Sequence, residues 1–396
     1  MFLNKLIESN PEFLKDIIEL HQKNELPANS YAIDLDTVYE NAKKMVAEAH
    51  KYGIKVYPMT KQIGRNPAVI RTLKLAGCDG CVCVDMADAR RVHAAGMKIG
   101  HLGHLVQVPK AEIDAAILMQ PEYWTVFDLE KARVISDHMP EGWTQKIMLR
   151  IFSDGDTFYT GHEGGIPASE VVEAAKKIGR MPGLKFAGIT TFPTQLYNLE
   201  TQTVEHTHNY RTLLEAKKAL EAAGFTNLEL NAPGTTSLHL FKEMGEHGVT
   251  QVEPGHGLTG STPIHAVKAM AERPALAYVS EICHFYNGRA YCYGGGMYID
   301  PVFPPYMVRA MVGSDFESAK KHLIECDMPK PEAIDYYGIF KPAEGIKEGD
   351  TVIFGFRAQA FVTRAFVVPI SGVSKGSPKI EGIYDSDGKE MGWPYC

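Results

Sequence analysis

Between residues 55 and 253 the chain repeats one unit: a short β-rich run, a polar turn, then an amphipathic helix. The β runs fall at 55–60, 80–84, 99–102, 123–126, 146–151, 186–191, 228–231 and 250–253. The intervening helical patterns fall at 67–76, 87–95, 110–119, 129–137, 168–177 and 204–223. Strands that alternate with helices build parallel sheets, and eight of them in about 200 residues suit a (β/α)8 TIM barrel. An open doubly wound sheet competes with this reading, but the count of eight favours the barrel. A helix is expected at 3–22, a strand at 31–34 and a further helix from about Asp36, where an Asp can cap open backbone N–H groups. After about Pro263 the pattern changes to β runs at 277–282, 288–293, 351–353 and 360–368, separated by Gly/Pro turns. The expected organisation is therefore an N-terminal helix (1–25), a barrel (26–263) and a mainly β C-terminal domain (264–396). The strand at 31–34 precedes the barrel count and is free to join the second sheet.

Composition narrows the function classes. Apolar residues make up 45% and charged residues 22%, which fits a globular chain. The net charge of −7 argues against a nucleic-acid binder. No apolar run approaches the roughly 18 residues of a membrane span, and the charged N-terminal pattern does not read as a signal peptide. The seven cysteines read as reduced thiols of a cytoplasmic protein. Cys78, Cys81 and Cys83 straddle one strand with no second ligand pair after them, so they read as buried thiols. No metal is expected.

Active sites of such barrels lie at the C-terminal ends of the strands. The first strand runs into Tyr57-Pro58-Met59-Thr60-Lys61-Gln62. A strand-end lysine, partly desolvated, can be a neutral amine that forms a Schiff base or takes a proton; otherwise it starts a surface loop. The seventh strand runs into Asn231-Ala232-Pro233-Gly234-Thr235-Thr236, and the eighth into Glu253-Pro254-Gly255-His256-Gly257. Loops of small and hydroxyl residues can turn backbone N–H groups toward an anion, and this address commonly binds phosphate. An amine facing a phosphate cup is what pyridoxal 5'-phosphate requires, with Glu253 as candidate partner for its pyridine nitrogen. His101 and His104 lie at another strand end, in a structural or a substrate-contact role.

Through these residues the chain resembles the alanine-racemase-like, fold type III group of pyridoxal phosphate enzymes, and within it the YhfX-type amino-acid racemases. The resemblance implies a cofactor-binding barrel, a β domain and a homodimer with shared active sites. It implies Lys61 as the Schiff-base residue and Gly234, Thr235, Thr236, Gly255 and His256 around the phosphate. Arg65 replaces a tyrosine of the alanine racemases and is suited to phosphate or a substrate carboxylate. Glu253 replaces their arginine, as in ornithine and diaminopimelate decarboxylases. Phe192 stands where many members stack a histidine on the cofactor ring. Gly294-Gly295-Gly296, Pro305-Tyr306 and Arg309 resemble the decarboxylases' glycine-rich segment, but Asp335-Tyr336-Tyr337-Gly338 lacks their catalytic cysteine. Tyr337 is therefore taken as the second acid–base group. The metal-binding histidine–cysteine pair of related D-threonine aldolases and D-serine dehydratases is not found.

Three functions remain open. The first is an amino-acid racemase in which Lys61 exchanges the α-proton on one face and a tyrosine of the partner subunit serves the other. The second is an amino-acid decarboxylase, suggested by Glu253. The third is a cofactor-binding protein with little catalysis, against which the second domain argues.

Overall fold

The computed structural model describes residues 2–298, 308–330, 333–341 and 344–393. The chain divides into two compact units, one of 1–41, 61–72 and 256–396, the other of 42–60 and 73–255.

The second unit is the barrel. Strand β1 (Ser30–Asp34) belongs to the first unit; the barrel strands begin with β2 (Lys55–Val56), β3 (Cys81–Cys83), β4 (Ile99–Leu102), β5 (Tyr123–Val126) and β6 (Gln145–Phe152). A short β7 (Ile166–Pro167) pairs with β6 off the main path. The barrel continues with β8 (Leu184–Thr190), and β9 (Gln195–Asn198) and β10 (Thr203–His206) form a separate antiparallel ribbon. Strands β11 (Glu229–Asn231) and β12 (Gln251–Val252) complete it. The sheet order β2-β12-β11-β8-β6-β5-β4-β3 follows the chain around the ring, and every pairing is parallel. Closure between β2 and β3 rests on the parallel bridge Met59–Val82 and on the Val82 N–H donating to Pro58 O at 3.1 Å. All eight strand expectations therefore have a counterpart within a few residues. The helical pattern at 204–223 does not start where expected. Thr203–His206 is the second ribbon strand, and the helix is His208–Ala222.

The barrel interior is filled by side chains, as a TIM barrel requires. Tyr57, Val82, Tyr123 and Met148 pack together with negligible exposure. The N-terminal ends of the strands are closed by charge: Lys55 Nζ donates to Glu229 Oε1 at 2.6 Å and to Tyr123 OH at 2.7 Å. With that end given to stability, the C-terminal ends are left for chemistry.

The first unit is built on an antiparallel-rich sheet. Its strands are β13 (Leu276–Tyr286), β14 (Arg289–Tyr293), β15 (Val308–Gly313), β16 (Leu323–Asp327), β17 (Tyr337–Phe340), β18 (Thr351–Phe354), β19 (Phe366–Ser371) and β20 (Lys379–Ile380). The order is β14-β17-β16-β15-β18-β13-β1-β19-β20. Strand β1 pairs antiparallel with β13 and parallel with β19, so the early strand lies in this sheet. The run expected at 360–368 splits into a 3₁₀ turn, Ala360–Val362, and the start of β19. Pro305 and Tyr306 lie outside the described residues.

The single helix expected at 3–22 is two, Phe2–Ser9 and Pro11–Gln22. Proline disfavours helical backbone in the residue before it. Asn10 sits at φ −141° and turns its amide to Asp34 Oδ2, 2.9 Å away. The helices bury Leu3, Leu6, Phe13, Leu14 and Ile17 against Ala277, Val279 and Ile353 of the sheet.

Two stability predictions follow from this packing. A Cβ built on Gly100 would fall 2.2 Å from the Tyr57 ring inside the barrel. Gly100→Ala should therefore cost about 3 kcal/mol, read as a lower urea midpoint, as overpacked cores do. Asp16 is buried, and burial first, then Glu12 and Glu19, raises its carboxyl from 3.8 to about 6. The folded state thus holds an extra proton between these values, and stability should fall as pH rises from 3.8 to about 6. Asp16→Asn should flatten that decline in denaturation midpoints measured across the range; an unchanged slope would exclude Asp16 as its source.

Candidate active site

Four strand ends of the barrel converge on Glu253. The residue follows β12, and its side chain is fully buried. Oε1 lies 2.6 Å from His101 Nδ1, on β4, and accepts from Asn231 Nδ2, at the end of β11, at 2.8 Å. Asn231 in turn accepts from Thr190 Oγ1, at the end of β8, at 2.6 Å, which points its amide NH2 toward the glutamate. His101 Nε2 lies 2.5 Å from Thr125 Oγ1 on β5. Oε2 has no hydrogen bond; His104 Nε2 is 3.3 Å from it without hydrogen-bond geometry.

A buried carboxyl should be pushed toward neutrality, yet this one is held the other way. Burial raises its pKa, but the His104 and His101 rings, with the His101 and Asn231 hydrogen bonds, outweigh burial and bring it below the ordinary carboxylate value. The site therefore contains an anion with one oxygen that faces His104 but accepts no hydrogen bond. Two imidazoles and a carboxylate within 4.8 Å of one another are also a donor set that can hold a cation.

Phe192 lies beside this group. Its ring centroid is 6.1 Å from that of His104, 5.9 Å from His162 and 5.7 Å from Tyr159. Buried Arg150 donates to the carbonyl of His104 at 2.7 Å and to that of His162, fixing both backbone segments. The Gly234 loop packs on the neighbouring loop after β8. A Cβ on Gly234 would lie 2.6 Å from Gln195 Oε1 and 2.7 Å from the Gln195 backbone N. The expectation of open backbone N–H groups is not met at Thr235 and Thr236. Their N–H groups donate to Gln195 O and Gly234 O, each at 2.9 Å, and the buried Thr236 hydroxyl also donates to Gly234 O at 3.4 Å. Gly255 is half-buried.

Lys61, Arg65 and His256 belong to the first unit. Lys61 opens a 3₁₀ turn, Lys61–Ile63, two residues beyond Met59. Its Nζ stands 5.7 Å from the Phe361 ring centroid, and the Arg65 guanidinium 5.5 Å from the same ring. Arg65 is buried in left-handed backbone, φ 51°, and Nη1 donates to Asp387 Oδ1 at 2.7 Å. The His256 imidazole is pushed well below its ordinary pKa by burial, then by the charges of Arg357 and Lys61. It is thus neutral near pH 7, with Gln359 Nε2 3.4 Å from its Nε2. Tyr337 is 41% exposed on β17, its ring edge-on to His284 at 5.1 Å.

Sequence reasoning stopped short of several of these partners. Asn231, Thr190 and Thr125 all occupy strand ends, so a residue-by-residue reading of those ends would have found them. Phe361 gave no signal because its segment, 360–368, reads as a strand, and Arg357 and Gln359 precede that run in a stretch that carries no motif.

Comparison with known proteins places the chain among relatives. The alanine racemase N-terminal domain model matches residues 33–263, and the YhfX-like C-terminal domain model matches 277–380. The chain is 36% identical over 395 residues to the uncharacterized protein YhfX of Escherichia coli (strain K12), covering 99% of this chain and 100% of that one. Among solved structures, D-threonine aldolase from Filomicrobium marinum superposes with a TM-score of 0.70 at 16% identity, covering 92% of this chain and 96% of that one. D-threo-3-hydroxyaspartate dehydratase from Delftia sp. HT23 gives 0.65 at 17%, covering 90% and 97%. Alanine racemase from Corynebacterium glutamicum gives 0.60 at 14%, covering 84% and 91%. At such identities these three structures share the fold.

The Gly234 contact yields a prediction. Gly234→Ala must move backbone against Gln195, at a cost of about 1–3 kcal/mol to the loop. Affinity for pyridoxal phosphate, titrated by its visible absorbance, should then fall about tenfold or more, whereas Thr236→Val should change it less. Equal affinities in the two variants would place the phosphate elsewhere.

Proposed function

We propose, from the premise that this chain belongs to the alanine racemase N-terminal domain family and carries a YhfX-like C-terminal domain, that it is an amino-acid racemase. The family and its structural neighbours use pyridoxal 5'-phosphate. The buried residues fit that group: Glu253 is an anion with one oxygen lacking a hydrogen bond, suited to a protonated pyridine nitrogen. This observation carries the reading. Bound pyridoxal phosphate supplies an aldehyde that condenses with amines and a ring that withdraws electrons from the α-carbon of an amino acid.

In this reading the Lys61 amine holds the aldehyde and then takes or returns the α-proton on one face. Thr235 and Thr236, with Gly234, Gly255 and His256, surround the phosphate. Neutral His256 suits a role as a hydrogen-bonding group there rather than a counter-charge. Arg65 supports the phosphate or a substrate carboxylate, and Phe192 covers a face of the ring. Tyr337, from a second copy of the chain, serves the opposite face of the α-carbon. Tyr293, its cross-strand partner, and Ile334 and Tyr336, close to it in the chain, are exposed with it, which favours a second copy covering this end of the sheet. The described cysteines are free thiols, which suits a cytoplasmic setting, and no described helix is long and apolar enough to cross a membrane.

The same carboxylate would serve an amino-acid decarboxylase, since a protonated ring stabilises negative charge at the α-carbon whichever bond breaks. A panel of single amino acids in deuterium oxide separates the two. Loss of optical activity with α-deuterium uptake is expected; carbon dioxide release would select the decarboxylase, and neither would leave a binding protein. Borohydride reduction of the holoprotein should fix the cofactor's mass on the peptide containing Lys61. Fixation on another lysine would overturn the assignment.

A further inference from the structure

The charge on Glu253 poses a problem that the residue does not solve alone. An ionised carboxylate taken out of water is costly unless it is paired and hydrogen-bonded. Here both of the donors that meet hydrogen-bond geometry converge on one oxygen. Oε1 has His101 Nδ1 at 2.6 Å and Asn231 Nδ2 at 2.8 Å, while buried Oε2 has none. His101 is fixed from behind, because Nε2 lies 2.5 Å from Thr125 Oγ1. With Oε1 an acceptor, Nδ1 must carry a proton, so the hydrogen bonds determine the ring's orientation. The arrangement spans β12, β4, β5 and β11, and each of the four side chains is fully buried.

We propose that His101, backed by Thr125, is a positioning residue that anchors Oε1 of Glu253 so that Oε2 alone is presented to the ring nitrogen of the cofactor. This rests on Glu253 being the partner of that nitrogen. A carboxylate free to rotate would share its charge among several donors. One pinned through Oε1 offers a single acceptor of fixed direction, as strong charge-assisted hydrogen bonds require. His104, 3.3 Å from Oε2, borders that oxygen on the remaining side.

The rival use of the same atoms is a divalent cation held by His101, His104 and Glu253. The geometry disfavours it. Donor atoms about 2.1 Å from one tetrahedral cation stand roughly 3.4 Å apart. His104 Nε2 and Glu253 Oε2, at 3.3 Å, meet that spacing. His101 Nδ1, however, is 2.6 Å from Glu253 Oε1 and bonded to it, so His101 would have to give up that bond to join them.

The test is the 15N chemical shift of holoprotein loaded with pyridoxal phosphate labelled at the ring nitrogen, which reads protonation without turnover. The parent should show a protonated nitrogen and Glu253→Gln an unprotonated one. His101→Leu should move the shift toward the unprotonated value, and His101→Gln, which restores an amide donor, should move it back. A parental shift in His101→Leu beside an unprotonated Glu253→Gln would overturn the positioning role and leave the Glu253 reading standing. A parental shift in Glu253→Gln would overturn both. If His101→Leu fails to fold, Thr125→Val carries the test, with a partial move expected and a parental shift contradicting the proposal. One divalent metal per chain in the apoprotein, lost in His104→Ala, would also overturn it.

Discussion

A single buried charge organises the C-terminal ends of the barrel strands. Glu253 has no exposure to water, yet its surroundings hold it ionised. That is stable because the His104 and His101 rings, with hydrogen bonds from His101 and Asn231 to one oxygen, outweigh the cost of burial. Those partners are themselves fixed by Thr125 and Thr190, so five side chains on five strands settle one another's orientation. Were the barrel open between any of these strands, the carboxylate would lose a donor and its charge would become untenable. Ring closure and site chemistry are therefore one constraint.

The barrel itself was legible because its signal is local and repeated. Each β run sits within a few residues of its helix, and eight repetitions average out errors at individual boundaries. The same logic placed Lys61, Gly234 and Glu253 at strand ends. What stayed hidden is what depends on distant partners. His101 and Glu253 are 152 positions apart, and only the closed ring shows that one donates to the other. Thr203–His206 was absorbed into a helix because no Gly or Pro separates it from the helix that starts at His208. The ribbon partner that makes it a strand, Gln195–Asn198, is itself short and half-polar.

The first unit shows the same limit in a different form. Its sheet interleaves β1, from the start of the chain, between β13 and β19. Strand composition hints that residues 31–34 need a partner but cannot say which strand supplies it. Strands β15, β16 and β17 escaped notice because they are short and alternate weakly, and edge-facing residues such as Glu325 and Tyr337 dilute their apolar pattern. Likewise, the approach of Arg65 and Lys61 to Phe361 joins segments almost 300 residues apart. It could not be anticipated where residue 361 was expected to lie in a strand. Burial, and then the charges of Arg357 and Lys61, explain why the His256 imidazole is neutral, a property no motif encodes.

The central claim is that Glu253 is the ionised partner of the pyridine nitrogen and Lys61 the amine that holds the aldehyde. A crystal structure of the holoprotein tests both at once. The account predicts Oε2 of Glu253 about 2.8 Å from the ring nitrogen, the length of a charge-assisted hydrogen bond, with His101 still on Oε1 and continuous density joining Lys61 Nζ to the cofactor. A cofactor bound through another lysine, or a ring nitrogen facing a group other than Glu253, would contradict it.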